Sequence, residues 1–177
     1  MPVKMKIYKA FVEYVKMILI AILIAFVINT AFIANIKVPT SSMEPAIMAG
    51  DRAVGFRLAY LFSAPKRGDV IIFDYPDDES LKYVKRIIGE PGDEVIISDG
   101  RVYINKSAQP IEEDYLNEMM ETETDLSYLV PEDCYFVMGD NRNHSSDSRA
   151  WENTFVARNK IIAKVMFRYF PNIQKIE

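Results

Sequence analysis

The hydrophobic pattern begins with one long apolar run near the start of the chain. Residues 17–36 form 20 consecutive positions without a charged side chain. About 20 apolar residues in an α-helix span the hydrocarbon core of a bilayer, so we predict an uncleaved transmembrane anchor over residues 17–36. A cleaved signal peptide normally has a shorter apolar region followed by an A-x-A site. A helix buried in a soluble core is rarely apolar on every face for this length.

After this run the apolar positions change from a continuous block to short stretches separated by Gly, Pro and Asp. One pair of stretches flanks Ser98-Asp99-Gly100, and Asp-Gly between apolar runs is a strong hairpin signal. This pattern predicts a mainly β domain over residues 37–177, built as an antiparallel barrel or sandwich. The stretches are residues 52–62, 70–73, 81–88, 94–97, 101–104, 135–138 and 161–170.

The charges around the apolar run indicate an orientation in the membrane. Lysines precede the run with Glu13 as the single acid among them, and the next lysine is Lys37. Cytoplasmic flanks of membrane spans carry an excess of Lys and Arg. We therefore expect a cytoplasmic basic N-terminus over residues 1–16 and an extracytoplasmic domain over residues 37–177 of a single-pass cell-membrane protein. The lysines before the run are Lys4, Lys6, Lys9 and Lys16.

Overall composition narrows the possible partners and cofactors. The net charge of -4 and the lack of a basic stripe argue against nucleic acid as a partner. Cys134 is the single cysteine, so no intramolecular disulfide is possible. One histidine, one cysteine and scattered acids give no metal-ligand spacing, and no Gly-rich phosphate loop is present. We expect no metal and no other cofactor.

One segment has an unusual charge. Residues 107–141 contain ten acids and no Lys or Arg. We refer to residues 107–133 as the acidic segment. Its apolar residues have no clean period, which favours a solvated excursion from the fold over a binding surface.

Candidate chemistry lies just after the apolar run, where Ser41 and Ser42 stand between Pro39 and Pro45. A serine becomes a nucleophile only when a base removes its proton and donors stabilise the oxyanion that follows. The single histidine, His144, lies in a dense polar loop and is one candidate base, as in a Ser-His-Asp triad.

A lysine is the other candidate base. Its reference pKa of about 10.4 must be lowered, which burial in apolar surroundings does. Lys85 lies on the apolar stretch 81–88, whereas Lys66 lies between Pro65 and Gly68 in a loop that water reaches. Residue spacing alone leaves His144 and Lys85 both open.

Four blocks of residues follow the apolar run in order. The blocks are Ser42-Met43 with Pro45; Gly68-Asp69-Val70-Ile71; Lys85-Arg86 continuing to Gly89-Glu90-Pro91-Gly92-Asp93; and Gly139-Asp140-Asn141-Arg142 continuing to Ser145, Asp147, Ser148 and Arg149. Together they resemble bacterial type I signal peptidases. The single span resembles the small Gram-positive form, and Lys85 stands where eukaryotic and archaeal relatives have a histidine.

This resemblance implies a membrane-bound serine endopeptidase that removes N-terminal signal peptides from exported preproteins with small residues near the cleavage site. It implies Ser42 as nucleophile and Lys85 as general base. Thr40 and the Ser42 backbone N–H fall on the family's oxyanion hole. The supporting residues that it implies are Ser145 as a hydrogen-bond partner of the lysine, Asp147 and Arg149 as an ion pair, and Arg86 in the same charged cluster.

The resemblance also implies shallow apolar pockets for small substrate side chains. The residues that we expect to line them, each of which is otherwise simply a core residue, are Ile36, Val38, Met43, Ile47, Tyr83 and Val84. Ser42 follows the predicted span by six residues, so we expect the site to lie close to the bilayer.

The chain departs from the family pattern at Asn143-His144, where the family usually has Asp-Asn. We expect altered local hydrogen bonding there and no loss of activity. Two other functions are compatible with parts of the sequence: a self-cleaving Ser/Lys protease of the SOS-repressor type, and an inactive membrane-anchored β binding module. The anchor and the Gly-Asp-Asn-Arg block argue against the first, and the complete set of catalytic residue types argues against the second.

Overall fold

The computed structural model describes residues 3–121 and 124–176. Parts of the predicted basic N-terminus (residues 1 and 2) and of the acidic segment (residues 122 and 123) lie outside the described residues. The chain divides into two compact units between Ile33 and Ala34.

The first unit is one long helix, α1, over Val3–Phe32. Within its part Tyr8–Phe32, the most apolar window has a mean hydropathy of 2.5 and no buried residue. At 1.5 Å per residue, these 25 residues extend about 37 Å, which is enough to cross a bilayer. The Thr30 hydroxyl donates to the Phe26 carbonyl at 2.6 Å, so this polar group is satisfied inside the helix.

The helix and the predicted span have different boundaries. Helix α1 begins well before residue 17 and ends at Phe32, and the last apolar positions of the run form a strand, β1 (Ile33–Lys37). Ala34 is buried and Ile36 partly buried, both in one core cluster with Val38. This spacing of two is the period of a strand, and an unbroken apolar run conceals it in the sequence.

The second unit contains the remaining strands, and every pairing among β2 to β11 is antiparallel. The predicted mainly β, antiparallel class is confirmed. Among the described residues, one sheet has the order β1-β2-β10-β3-β4-β8-β9, with β11 beside β10, and the other has the order β6-β5-β7. The strands are β2 (Arg52–Phe56), β3 (Val70–Tyr75), β4 (Asp78–Gly89), β5 (Glu94–Ser98), β6 (Arg101–Ile104), β7 (Leu126–Leu129), β8 (Cys134–Met138), β9 (Val156–Ala157), β10 (Ile161–Phe170) and β11 (Gln174–Lys175).

The predicted hairpin joins β5 to β6. Ser98 pairs with Arg101, which leaves Asp99 and Gly100 as a two-residue turn. Their φ values of 49° and 71° are both positive, as the tight turn that matches strand twist requires.

Strand β4 positions the central side chains of the larger sheet, because β3 and β8 flank it. Lys85 pairs with Ile71 of β3, and Arg86 pairs with Val70 of β3 and Met138 of β8. Neighbouring residues of a strand point to opposite faces. Lys85 and Arg86 therefore face opposite sides of β4, and both are buried.

Candidate active site

Ser42 lies in the turn that follows β1, and backbone hydrogen bonds hold this turn on both sides. The Val38 N–H donates to the Asp51 carbonyl at 2.9 Å, and the Asn141 N–H donates to the Ser42 carbonyl at 3.1 Å. The Asn141 side chain also donates to the Ser41 carbonyl at 3.3 Å. The turn thus places the Ser42 side chain, which is only 7% exposed, against β4.

The Lys85 Nζ atom lies 2.6 Å from Ser42 Oγ. The two residues are 43 positions apart in the chain, so this contact comes from the fold. Thr40 Oγ1 lies 3.3 Å from Ser42 Oγ on the same turn. The three sequence candidates Thr40, Ser42 and Lys85 therefore meet at one point.

Burial lowers the pKa of Lys85 to about 8. The charges of Asp147 and Asp140 act to raise this pKa, and Arg149 acts to lower it, but burial is the largest effect. With this pKa, about a tenth of the amine is unprotonated at pH 7 and about half at pH 8. An unprotonated amine at hydrogen-bond distance can accept the proton of a serine hydroxyl.

Ion pairs occupy both acids near Lys85. Arg86 donates from Nε and Nη2 to the two Asp140 oxygens at 2.8 and 2.7 Å, with both side chains almost completely buried. Arg149 donates to the two Asp147 oxygens at 2.8 Å each. Burial acts to raise the pKa of Asp147, but hydrogen bonds and charge from Arg149 lower it overall, so this acid is ionised and paired.

The sequence missed the partner of Arg86. The resemblance placed Asp147 with Arg149, and the structure has that contact, whereas Asp140 was assigned no partner. The available signal was its position two residues after the end of β8, because β8 is the neighbour of β4 in the sheet.

Ser145 does not make the hydrogen bond to Lys85 that the resemblance implies. Its Oγ is buried and helps to lower the pKa of Asp147, while Lys85 Nζ is directed to Ser42. Ser145 and the Ser42 backbone nevertheless lie close together, because both pack against Gly139. A Cβ at Gly139 would lie 2.3 Å from both Ser145 Oγ and the Ser42 carbonyl oxygen, so only glycine fits between them.

A cavity of about 230 Å³ opens beside the Ser42–Lys85 pair. Of the predicted pocket residues, Ile36, Val38, Tyr83 and Val84 line it. Met43 and Ile47 do not, because the turn directs their side chains into the core, where both are fully buried. Lining residues that the sequence did not indicate are Pro39, Lys82 and Ser146.

His144 lines the same cavity and is exposed at the end of a turn of 3₁₀ helix over Arg142–His144. Thr40 lies in the same turn as Ser42. Among the described residues outside that turn, Lys85 forms a side-chain hydrogen bond with Ser42 Oγ and His144 does not. The geometry therefore favours lysine as the base. In the described part of the chain, no group of three or more His, Cys, Asp or Glu residues is arranged to hold a metal ion.

The acidic segment is not simply solvated. Both Glu113 oxygens accept from the Arg142 guanidinium, whose side chain is 1% exposed. The Tyr115 ring lies 4.0 Å from the guanidinium carbon of Arg86, and the Asn143 amide donates to Glu118 at 2.9 Å. The segment therefore packs against the loop that carries Asp140 and Ser145.

The chain matches the family model described as "Signal peptidase, peptidase S26" over residues 11–170. The "Probable signal peptidase I-2" of Synechocystis sp. is 37% identical over 165 residues, covering 90% of this chain and 73% of the relative. The "Signal peptidase I" of Bacillus licheniformis is 34% identical over 168 residues, covering 90% and 88%. A solved structure of a signal peptidase I from Enterococcus faecalis is 33% identical, covers 58% of this chain and 97% of that chain, and has a TM-score of 0.49.

The family model and the two relatives confirm the resemblance drawn from the four sequence blocks, and the family-model match extends from within helix α1 to Phe170, the last residue of β10. The self-cleaving repressor and the inactive binding module are not supported by them. The chain belongs to the signal peptidase family, peptidase S26, as a serine peptidase that removes signal peptides and as a membrane protein with one N-terminal apolar helix.

Proposed function

We propose that Ser42 and Lys85 form the catalytic dyad that cleaves signal peptides from exported preproteins. The observation that carries this proposal is the distance of 2.6 Å between Lys85 Nζ and Ser42 Oγ, with both residues buried. The lowered pKa of Lys85 supports it, because a base must be unprotonated to act.

In the first step, Lys85 Nζ accepts the Ser42 hydroxyl proton as Oγ attacks the carbonyl carbon of the scissile bond. The carbonyl oxygen becomes an oxyanion, and the Ser42 backbone N–H and the Thr40 hydroxyl donate to it. Thr40 Oγ1 is 3.3 Å from Ser42 Oγ, which is consistent with this role. Removing one such donor typically costs 10²–10³ in kcat in a comparable site, so Thr40 carries a testable share of the rate.

In the second step, the tetrahedral intermediate loses the amine of the mature protein, which takes the proton from Lys85. The signal peptide remains as an ester on Ser42 Oγ. Lys85, now neutral, accepts a proton from a water that attacks the ester. The signal peptide leaves as a carboxylic acid, and the freed Ser42 oxygen takes the proton back from Lys85. Water is consumed and no other co-reactant is needed.

The charged residues behind the site act as positioning residues in this proposal. Asp147 accepts from the Gly139 N–H at 2.9 Å, which fixes the strand end next to Ser42. Arg149 and Arg86 keep Asp147 and Asp140 paired, so that neither carboxylate binds Lys85 directly and raises its pKa further. Ser145 supports the turn through its close packing beside Gly139.

The substrate is proposed to have small side chains near the cleavage site. The cavity of about 230 Å³ is mostly apolar and lies beside the dyad. Small size and aliphatic walls from Ile36, Val38 and Val84 favour side chains such as alanine. The bilayer is the proposed second partner, through α1, with no role for nucleic acid. The orientation proposed is residues 1–16 in the cytoplasm and residues 37–177 outside.

The test is cleavage of a preprotein by the detergent-solubilised full chain and by three variants. We expect Ser42→Ala and Lys85→Ala to be inactive, and His144→Ala to cut. Loss of cleavage in His144→Ala, with Lys85→Ala still cutting, would show that the base is misassigned.

A further inference from the structure

The cavity beside the dyad has two walls from different parts of the chain. One wall is on β4, where Tyr83, Val84 and Lys85 lie. The other is on the loop after β8, where His144 and Ser146 lie. The strand and the loop are about 60 residues apart in sequence, so contacts within the fold must fix the distance between them.

Trp151 contacts both walls. Its indole Nε1–H donates to Ser146 Oγ at 3.2 Å. Its ring centroid lies 5.9 Å from that of Tyr83, at an interplanar angle of 66°. Edge-to-face packing in this range of distances is the favourable arrangement for two aromatic rings. One buried side chain thus joins a polar residue of one wall to an aromatic residue of the other.

Trp151 is itself held rigidly. Tyr75 stacks on Tyr83 with centroids 4.4 Å apart and also meets the Trp151 ring edge-to-face at 5.1 Å. After Trp151, the N–H groups of Glu152 and Asn153 donate to the Asp77 carboxylate at 3.1 and 2.7 Å. Asp77 lies in the turn between β3 and β4. The loop that contains Trp151 is therefore hydrogen-bonded to the β3–β4 hairpin, and this hairpin carries the β4 wall of the cavity.

We infer that Trp151 is a positioning residue for the substrate: it sets the separation of the two cavity walls and so determines how tightly the signal peptide binds beside the dyad. This inference rests on the proposed use of the cavity as the substrate site. Trp151 does not line the cavity and does not touch Ser42 or Lys85 in the described structure, so its effect passes through Ser146 and Tyr83.

The kinetic test compares Trp151→Phe, Ser146→Ala and the double variant in the full chain in detergent. Trp151→Phe keeps an aromatic ring and removes the indole N–H, and Ser146→Ala removes the acceptor with the ring intact. A lost hydrogen bond is worth about a fivefold change in binding, so we expect each single variant to raise KM about fivefold with kcat within twofold. The double variant should be no worse than either single one, because both remove one interaction.

The matched control is Ser127→Ala, which also removes an exposed hydroxyl bonded to another side chain, here Glu94, on the smaller sheet. This variant should keep the wild-type KM. Additive effects of Trp151→Phe and Ser146→Ala, or an unchanged KM in both, overturn the inference.

A spectroscopic test is available because Trp151 is the only tryptophan in the chain. A signal-peptide substrate without tryptophan is titrated into the Ser42→Ala variant, and the emission of Trp151 is recorded. We expect the emission to shift at saturation and the shift to shrink when Ser146→Ala is added. Unchanged emission at saturation overturns the positioning role alone, whereas a Ser42→Ala variant that still cleaves overturns the proposed dyad.

Discussion

At the scale of single residues, the burial of Lys85 has two opposed effects, one on its ability to act as a base and one on the stability of the folded chain. Burial at 4% exposure lowers its pKa to about 8, which suits a base. The same burial destabilises the folded state when the amine is charged. At 1.36 kcal/mol for each pKa unit, the lowering from 10.5 to about 8 corresponds to roughly 3 kcal/mol.

Lys85→Met is therefore expected to abolish cleavage and to raise the free energy of unfolding by about 3 kcal/mol at pH 7. Between pH 8 and 10.5 the unfolded wild-type chain binds more protons at this lysine than the folded chain does, so wild-type stability rises with pH. The advantage of the variant should shrink over that range. Denaturant unfolding of the full chain in detergent at several pH values measures both effects.

The control for this prediction is Lys82→Met, three residues earlier on β4. Lys82 is exposed and forms a surface ion pair with Asp74 at 3.0 Å. Such pairs contribute about 0–1 kcal/mol, so this variant should change stability little. A loss of stability in Lys85→Met would mean that the lysine side chain is not strained by its burial.

The sequence was informative for residues whose chemistry is unusual. A lysine in an apolar strand and a serine between two prolines stand out by type and position, and the fold brings Lys85 and Ser42 together. Partners chosen among several similar residues could not be read in the same way. Asp140 and Asp147 are both acids of one loop, and only the pairing of β4 with β8 decides that Arg86 contacts Asp140.

At the scale of elements, the acidic segment packs across the charged cluster beside the active site. Glu113 pairs with Arg142, and Arg142 also donates from Nε to the Gly139 carbonyl at 3.1 Å. Tyr115 donates to Glu113 at 2.8 Å while its ring covers Arg86. The segment therefore supplies the third acid of a cluster that contains three arginines.

Glu113→Gln should destabilise the protein by about 3 kcal/mol, because it leaves the buried Arg142 charge without its carboxylate. Hydrogen exchange of the backbone over residues 111–121 should increase more than exchange in β3 or β4. Glu112→Gln is the matched control, since it removes the neighbouring acid, which is exposed. Equal and small effects of the two variants would mean that the segment is only loosely attached.

Strands bounded by turn residues such as Gly, Pro and Asp were predictable from the sequence, whereas β1 and β7 were not. The Asp-Gly turn defined β5 and β6, and β10 has the predicted bounds Ile161–Phe170. Strand β1 was missed because it continues the apolar run of α1 without a change in composition. Strand β7 (Leu126–Leu129) was missed because it lies in the acidic segment, and its pairing with β5 and the packing of Tyr128 on Phe136 are contacts that the fold supplies.

At the scale of the whole molecule, the chain consists of a membrane helix and a compact catalytic unit with its own core. In α1, Lys9 and Lys16 precede the most apolar turns, which supports the proposed cytoplasmic N-terminus. Protease added outside sealed spheroplasts is expected to degrade residues 37–177 and to spare an N-terminal tag. Degradation of the tag with protection of the catalytic unit would reverse the proposed orientation.

The pH dependence of kcat/KM tests the central claim, an unprotonated lysine as the base, most directly. For the full chain with a signal-peptide substrate, kcat/KM should rise with pH to a plateau, with a midpoint near the pKa of about 8 of Lys85. The midpoint should be the same in His144→Ala. A midpoint near 6.5, the ordinary value for histidine, that disappears in His144→Ala would contradict the account.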